Sequence, residues 1–582
     1  MNARFAGDRT LSRREILQLL GGACGAALLA ACGGGTTATT TAPPTATAAA
    51  TGATVAAGAP TTVPTRNSPV VVPAFGATPA AATPGRPAPG TGSPAASATR
   101  TATRDATLVI RDSGVTLPTE KVAFHWVDSG DTKASFFKAY FAAYQQAHPN
   151  IAITYDPLPF AKIQEILPLG FQNGTAPDVF QLPGAITLGQ AVTSGWVRPI
   201  DDIIPNFASW KAAFPPGSFL TGLNVFEGKT YGPPLTNPGG NTSLCYNTTY
   251  AAQANFDPKA RPVTWDAFRA AAKKMTEQGG GKYFGLMIEG QGGRYASIVS
   301  GFARRAAPLG GGGGGMLADT NWKTGAFNYT TDQYLAAIDL LLGLKSDGSI
   351  FPGSVALNAA QARAQFAQGA AGMIISGTYN IPQWKTENPT LPFDIVGQPV
   401  PNSGTVYPLA EFPGATGENI LNVNAKTKYP AIAGDMLHYI GTKEGNLLFT
   451  TLSGGGQRSI YPEINEQANI DPRSRKIFET LARIQVLAPS PIVRNPDWSK
   501  VELEVKALTP DFGAVMQGVF TGQLKDPKQA MQDLQDRSDK ELDRAIKAAQ
   551  AKGAQVSRDD LVFPNWDPMK DYTEADYAAL KK

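Results

Sequence analysis

The chain has 582 residues with 51 Lys and Arg against 47 Asp and Glu, a formal net charge of +4, three cysteines and three histidines. That length has room for more than one globular lobe, and basic residues scattered along a nearly balanced chain exclude a nucleic-acid surface. Cys24 and Cys32 lie in the N-terminal segment and Cys245 stands alone in the body, so neither a disulfide within the body nor a Cys-based metal site can form. His125, His148 and His438 are too dispersed for a histidine metal centre. No metal and no cofactor is expected.

In chain order, Ser12-Arg13-Arg14-Glu15-Ile16-Leu17 sets paired arginines ahead of an apolar run, which Leu29-Ala30-Ala31-Cys32 closes with small residues before a cysteine. This resembles a bacterial twin-arginine export signal ending in a lipoprotein box. The resemblance implies a signal over residues 1–32, export directed by Arg13 and Arg14, and cleavage that leaves Cys32 lipidated on the outer face of the cell membrane. Leu17 to Ala31 is shorter than the roughly 20 apolar residues of a membrane span and is broken by Gln18, Gly21 and Gly22. Residues 33–118 are dominated by Thr, Ala, Pro and Gly and cannot bury enough apolar surface to order themselves, which predicts a disordered tether. Glycosylation of that stalk would leave its mechanics unchanged.

From Lys121 the texture alternates between strand and helix. Lys121 to Val127 predicts a strand, Thr132 to Gln146 a helix with Phe136, Phe137, Tyr140, Phe141 and Tyr144 as a core stripe, and Ile151 to Tyr155 a second strand. Ile163 to Phe171 reads as a helix, Val179 to Leu182 as a third strand and Trp265 to Glu277 as a helix. Asp201-Asp202 reads as a helix cap, Gly310 to Gly315 as a mobile loop, and Thr330 with Gln333 as a capping box. Ala360 to Gln368 predicts a helix stopped by Gly369, Met373 to Ser376 a strand, and Pro430 a first helical turn with Ile432, Met436, Tyr439 and Ile440 facing the core. A long charged helix from Asp526-Pro527 would carry Asp533/Arg537 and Asp536/Lys540 ion pairs. The alternation predicts an α/β fold with a parallel sheet covered on both faces.

Local phrases then recur in a telling order: Ala147-His148-Pro149-Asn150-Ile151, Ala176-Pro177-Asp178-Val179, Gly195-Trp196-Val197-Arg198-Pro199-Ile200, Glu227 to Pro234, Cys245-Tyr246-Asn247 and Pro262-Val263-Thr264-Trp265. Phe366 to Met373 with Ser376-Gly377-Thr378-Tyr379 follows, then a helix-and-glycine pattern over Gly441 to Gly456. The series resembles the family 1 extracellular solute-binding proteins of ABC importers, the group containing maltose-binding protein. The resemblance implies a two-lobed periplasmic-binding-protein type II fold over residues 119–582, with lobe one at about 119–233 and 410–455 and lobe two at about 234–409 and 456–582. Crossings would fall near Gly232 to Thr236 and Pro399 to Phe412. It also implies a monomer that closes on a solute, most simply a carbohydrate, and passes it to ABC permease subunits. A polyamine, polyol phosphate or peptide is the alternative cargo; an adhesin or a glycoside hydrolase is a reading from another class.

Sugar recognition calls for flat rings and fixed amides or carboxylates, and open α/β sheets place ligands at the carboxyl ends of strands. Trp126 and Asp128 end the first strand, with Trp126 as a stacking platform or core residue, and Gln181 ends the third as a ligand contact or loop brace. By resemblance Tyr379 presents an aromatic to the cleft, with Trp384 close behind. Asn237, Glu411 and Phe412 flank the crossings, and Glu289 with Arg294 lies in a glycine-rich loop. Arg458 suits either an anionic solute or the surface. No Gly-x-Ser-x-Gly elbow, His-Glu-x-x-His or phosphate loop occurs in the body, so no catalytic residues are assigned and a binding protein, not an enzyme, is expected.

Overall fold

The computed structural model describes residues 108–183, 186–236, 243–259, 262–291, 293–311, 316–411 and 420–580. Arg13, Arg14, Cys32, most of the tether, Asn237 and Phe412 lie outside the described residues, as do Gly312 to Gly315.

Two four-stranded sheets organise the body. In the first, Val122–Asp128 runs parallel to Ile151–Pro157 on one side and to Val179–Gln181 on the other, with Trp126 opposite Tyr155 and Val179. Leu421–Val423 closes that sheet antiparallel to Val179–Gln181. In the second, Ser243–Asn247 lies antiparallel to both Ala371–Ser376 and Phe393–Gly397, and Phe284–Met287 pairs parallel to Ala371–Ser376. Both sheets are therefore mixed, which corrects the expectation of a purely parallel one. Leu421–Val423 comes back from the other lobe and adds at an edge, and Ser243–Asn247 begins a new lobe in mid-sheet; neither strand follows a local βαβ crossover.

The first core forms because the helix Lys133–Ala147 repeats aromatic residues at helical spacing, so Phe136, Phe137, Tyr140, Phe141 and Tyr144 share one buried face. Phe136 meets Phe449 edge to face at 5.2 Å, Tyr140 stacks on Tyr439 at 5.3 Å, and the Tyr144 hydroxyl donates to Asp435 at 2.7 Å. The helices Pro430–Gly441 and Lys443–Leu452 thus pack on the helix Lys133–Ala147 although they lie far from it along the chain. Ile460, Tyr461 and Ile464 belong to the same core.

The second sheet is buried on both faces, as period-two alternation allows. Leu244, Tyr246, Met373 and Ile375 face the helices Trp265–Gly279, Arg294–Ala306 and Asp332–Ser346, while Cys245, Ile374 and Ile395 face Ala359–Ala367, Asn380–Glu387 and Pro472–Ile484. Burial pushes the Cys245 thiol far up, which removes it from thiolate chemistry. The two lobes are joined where Pro234 bridges Ile420, so two connecting segments run side by side.

Several local expectations change. Thr331, not Thr330, caps Asp332–Ser346, and its hydroxyl donates to the Asn328 carbonyl, so no capping box forms there. Asn358 and Gln361 form one on Ala359–Ala367. Asp201 accepts from the Thr230 N–H and Asp202 pairs with Arg198 at 2.7 Å, so neither caps a helix. Gly310 and Gly311 are buried, with Gly310 bridged to Asn321, which removes them from the expected mobile loop. On the helix Pro527–Ala551, Asp533 and Asp536 accept from Gln529 and Gln532, and Arg537 donates to the Pro510 carbonyl at 2.6 Å. Amides one turn back reach these carboxylates before the cations do.

The helix Trp498–Glu504 of the second lobe packs on Leu188–Thr193 of the first. Burial pushes the Glu502 carboxyl up to about 7. Its folded value lies above its unfolded one, so its contribution to stability is fully present below the ordinary glutamate range and is lost as pH rises through about 7. Denaturant titrations across pH 4 to 8 are expected to show stability falling over that window in the parent protein and a flatter profile in Glu502→Gln.

Candidate functional site

The carboxyl ends of both sheets converge on one seam. After Val122–Asp128 the chain turns through Ser129, Gly130 and Asp131 into the helix that begins at Lys133. Gly130 has φ +63° and a Cβ there would lie 2.6 Å from Pro157 Cβ, so only glycine fits. Asp128 holds the turn from beneath: it accepts from the Gly130 N–H at 2.6 Å, the Tyr155 hydroxyl at 2.9 Å and Trp126 Nε1 at 3.1 Å. Burial raises the Asp128 pKa, opposed by nearby Lys133 and by these donors. Gln181 Oε1 accepts from the Ser129 N–H at 3.0 Å and from Lys133 Nζ at 3.2 Å. Asp128 and Gln181 are thus braces of the turn.

Trp126 is fully buried, its ring 5.2 Å from Phe137 and 5.1 Å from Phe141. Of the two roles its sequence position allowed, it occupies the core one. Trp384 is also fully buried, against Phe366 at 4.7 Å and Phe393 at 5.2 Å, with Nε1 donating to the Arg363 carbonyl. A tryptophan at a strand end faces inward or outward according to strand parity and the helix above it, which local sequence does not fix.

From the second lobe come Glu289, just past Phe284–Met287, and Thr378 and Tyr379, just past Ala371–Ser376. Arg294 donates to Glu289 and lies near enough to Tyr379 to interact with it electrostatically. Burial opposes its charge, but Tyr379 and Glu289 outweigh that and raise its pKa. The Tyr379 hydroxyl lies 3.2 Å from Ser376 Oγ, and the Arg363 guanidinium sits 5.3 Å from the centre of its ring. Glu289, Arg294 and Tyr379 therefore form one cluster. Glu411 lies apart from them, on Leu409–Glu411 paired with Gln485–Leu487, 3.9 Å from Arg304, and burial raises its pKa.

Residues that the sequence reading did not single out tie the walls together. Arg363 reaches Asp131 of the first lobe at 3.8 Å. Thr378 Oγ1 donates to the Gly456 carbonyl at 3.3 Å, and Gln457 Nε2 donates to Thr132 Oγ1 at 3.1 Å. The available signals were the Ser-Gly-Asp-Thr turn after the first strand and the run Gly454-Gly455-Gly456. The seam thus presents one aromatic ring, hydroxyls, amides and charges of both signs. Among the described residues, no group of three or more His, Cys, Asp or Glu is placed to hold a metal ion. Such a lining suits reversible capture of a polar solute.

Residues 129–447 match the family of bacterial extracellular solute-binding proteins. A binding protein of Brucella abortus is 25% identical over 342 residues, covering 58% of this chain and 74% of its own. In structure, an ABC transporter solute-binding protein of Thermotoga lettingae bound with α-D-tagatose aligns with a TM-score of 0.56 and 19% identity over 73% of this chain and 100% of its own. The maltotriose-binding protein of Thermus thermophilus, bound with maltotriose, gives 0.54 and 19% over the same shares. The GacH receptor of Streptomyces glaucescens, solved unliganded and with acarbose, gives 0.55 and 16% over 73% and 99%. At these identities the structural likenesses establish the two-lobed fold.

Removing the Trp126 ring empties the middle of the first core. Trp126→Ala is expected to cost about 3–5 kcal/mol of stability, read as a lower urea midpoint.

Proposed function

Because the chain belongs to the bacterial extracellular solute-binding protein family, we propose that it is a lipid-anchored receptor that captures a carbohydrate between its lobes and delivers it to an ABC permease. The observation that carries this reading is the meeting of the two sheets' carboxyl ends at Thr132, Gly456 and Thr378, with Tyr379 and the Arg294–Glu289 pair beside them. A pyranose needs an apolar ring for its C–H face and fixed donors and acceptors for its hydroxyls, and this seam has both. The structural neighbours bound with tagatose, maltotriose and acarbose favour a sugar.

In this mechanism binding is reversible and no covalent bond changes. The two lobes close on the solute about segments such as Gly232–Pro234 beside Ile420, and the permease reads the closed form. The chain acts as a monomer. Arg13 and Arg14 direct export by the twin-arginine route, Cys32 carries the lipid, and the Thr/Ala/Pro/Gly-rich segment spaces the lobes from the membrane, with a root-mean-square span on the order of 50 Å.

A thermal-shift screen of the purified protein across mono- and oligosaccharides is expected to find a sugar that raises the melting temperature with no product formed; turnover of that sugar would refute the receptor reading. Tyr379→Ala is expected to weaken binding of that sugar by about tenfold and to leave the melting temperature of the unliganded protein nearly unchanged. In cells, Cys32→Ala should move the protein from the membrane fraction to the soluble one; retention in the membrane would remove the lipid anchor.

A further inference from the structure

Arg458 is a half-buried cation. Its Nη1 donates to Gln485 Oε1 at 2.6 Å, and among the described residues no carboxylate forms an ion pair with it. Its Nε and the Nε2 of Gln485 are both enclosed without a hydrogen-bond partner. Burial lowers its pKa to about 10. A charge withdrawn from water without a counter-ion is unfavourable, and orphaned N–H donors beside it add to that cost.

On one edge of the guanidinium the enclosed Nε has no acceptor. Nη1 is committed to Gln485, whereas Nε and Nη2 share the opposite edge, the one a carboxylate or phosphate takes with two parallel hydrogen bonds. Gln485 Nε2 supplies a further donor alongside. The position is that of the seam: the preceding residues, Gly456 and Gln457, are bonded to Thr378 of the second lobe and Thr132 of the first. A second cation flanks the seam, since Arg363 also has an unpartnered Nε and meets a carboxylate, Asp131, only at 3.8 Å. The carboxylate nearest along the strand pair, Glu411, is turned to Arg304 at 3.9 Å.

We propose that the solute is an acidic saccharide whose oxyanion, carboxylate or phosphate, is bound by the Nε edge of Arg458 with Gln485 donating beside it. This rests on the solute-receptor reading above and narrows it from neutral sugars to charged ones. A neutral hydroxyl would leave the guanidinium charge unanswered.

The test is calorimetric titration of the purified protein with matched sets: glucose, glucuronate and glucose 6-phosphate, and galactose, galacturonate and galactose 6-phosphate. An acidic member is expected to bind at least tenfold more tightly than its neutral partner, with the uronate and phosphate arms identifying the oxyanion. Arg458→Gln should lose at least tenfold for that acidic sugar, and Arg458→Lys, which keeps the charge but not the two-donor edge, should lose less. Neutral sugars binding as tightly as acidic ones, or unchanged affinity in Arg458→Gln, would overturn the acidic-solute proposal and leave the receptor reading standing. If no sugar in either set binds, the acidic-solute proposal falls, and the receptor reading is decided by the thermal-shift screen. Should Arg458→Gln not fold, the acidic-to-neutral comparison on the unaltered protein decides the question.

Discussion

The arrangement of this molecule depends on a close approach at Gly456. A Cβ there would lie 2.7 Å from Thr132 Oγ1, so any larger residue would push the first lobe's opening turn away from the loop that carries Arg458. With glycine in place, Thr378 bonds the Gly456 carbonyl and Gln457 bonds Thr132, and a point on each lobe is tied to the same short segment. Everything chemical at the seam is placed from that contact: Tyr379 follows Thr378, Asp131 precedes Thr132, and Arg458 follows Gln457.

The two walls divide their polar groups differently. On the first lobe Asp128 and Gln181 spend their acceptors inside the protein, on the turn's own N–H groups, on Trp126 and Tyr155, and on Lys133. Those bonds fix the backbone of the Ser129–Thr132 turn at the mouth of the sheet. Across the seam, Arg363 and Arg458 each keep an enclosed Nε without an acceptor. Satisfied groups on one side and unpartnered enclosed donors on the other make the two walls chemically unlike.

Much of the fold was legible because it rests on short-range periodicity. The aromatic stripe from Phe136 to Tyr144 could only be a buried helix face, and the strands at Val122, Ile151 and Val179 follow from apolar runs broken by turn residues. Strand direction was not legible: Leu421–Val423 and Ser243–Asn247 pair with partners far along the chain. The candidate site was legible in part. Glu289, Arg294 and Tyr379 share one cluster, whereas Trp126 and Trp384 are core residues. A tryptophan at a strand end can face either way, and only the helix laid over it decides. Arg363 left no signal because its role comes from what the opposite lobe brings near it.

The sequence by itself determined the alternation of elements, the aromatic core of the first lobe and the ordered phrases that tie the chain to its family, all of which arise from residues close to one another along the chain. Tertiary structure decided which strand ends meet, which tryptophans are buried, and that Arg458 is a half-buried cation bonded to Gln485 with its enclosed Nε lacking an acceptor. The reason is physical. Periodicity and turn chemistry act over a few residues, but burial, desolvation and hydrogen-bond satisfaction belong to atoms brought together from distant parts of the chain.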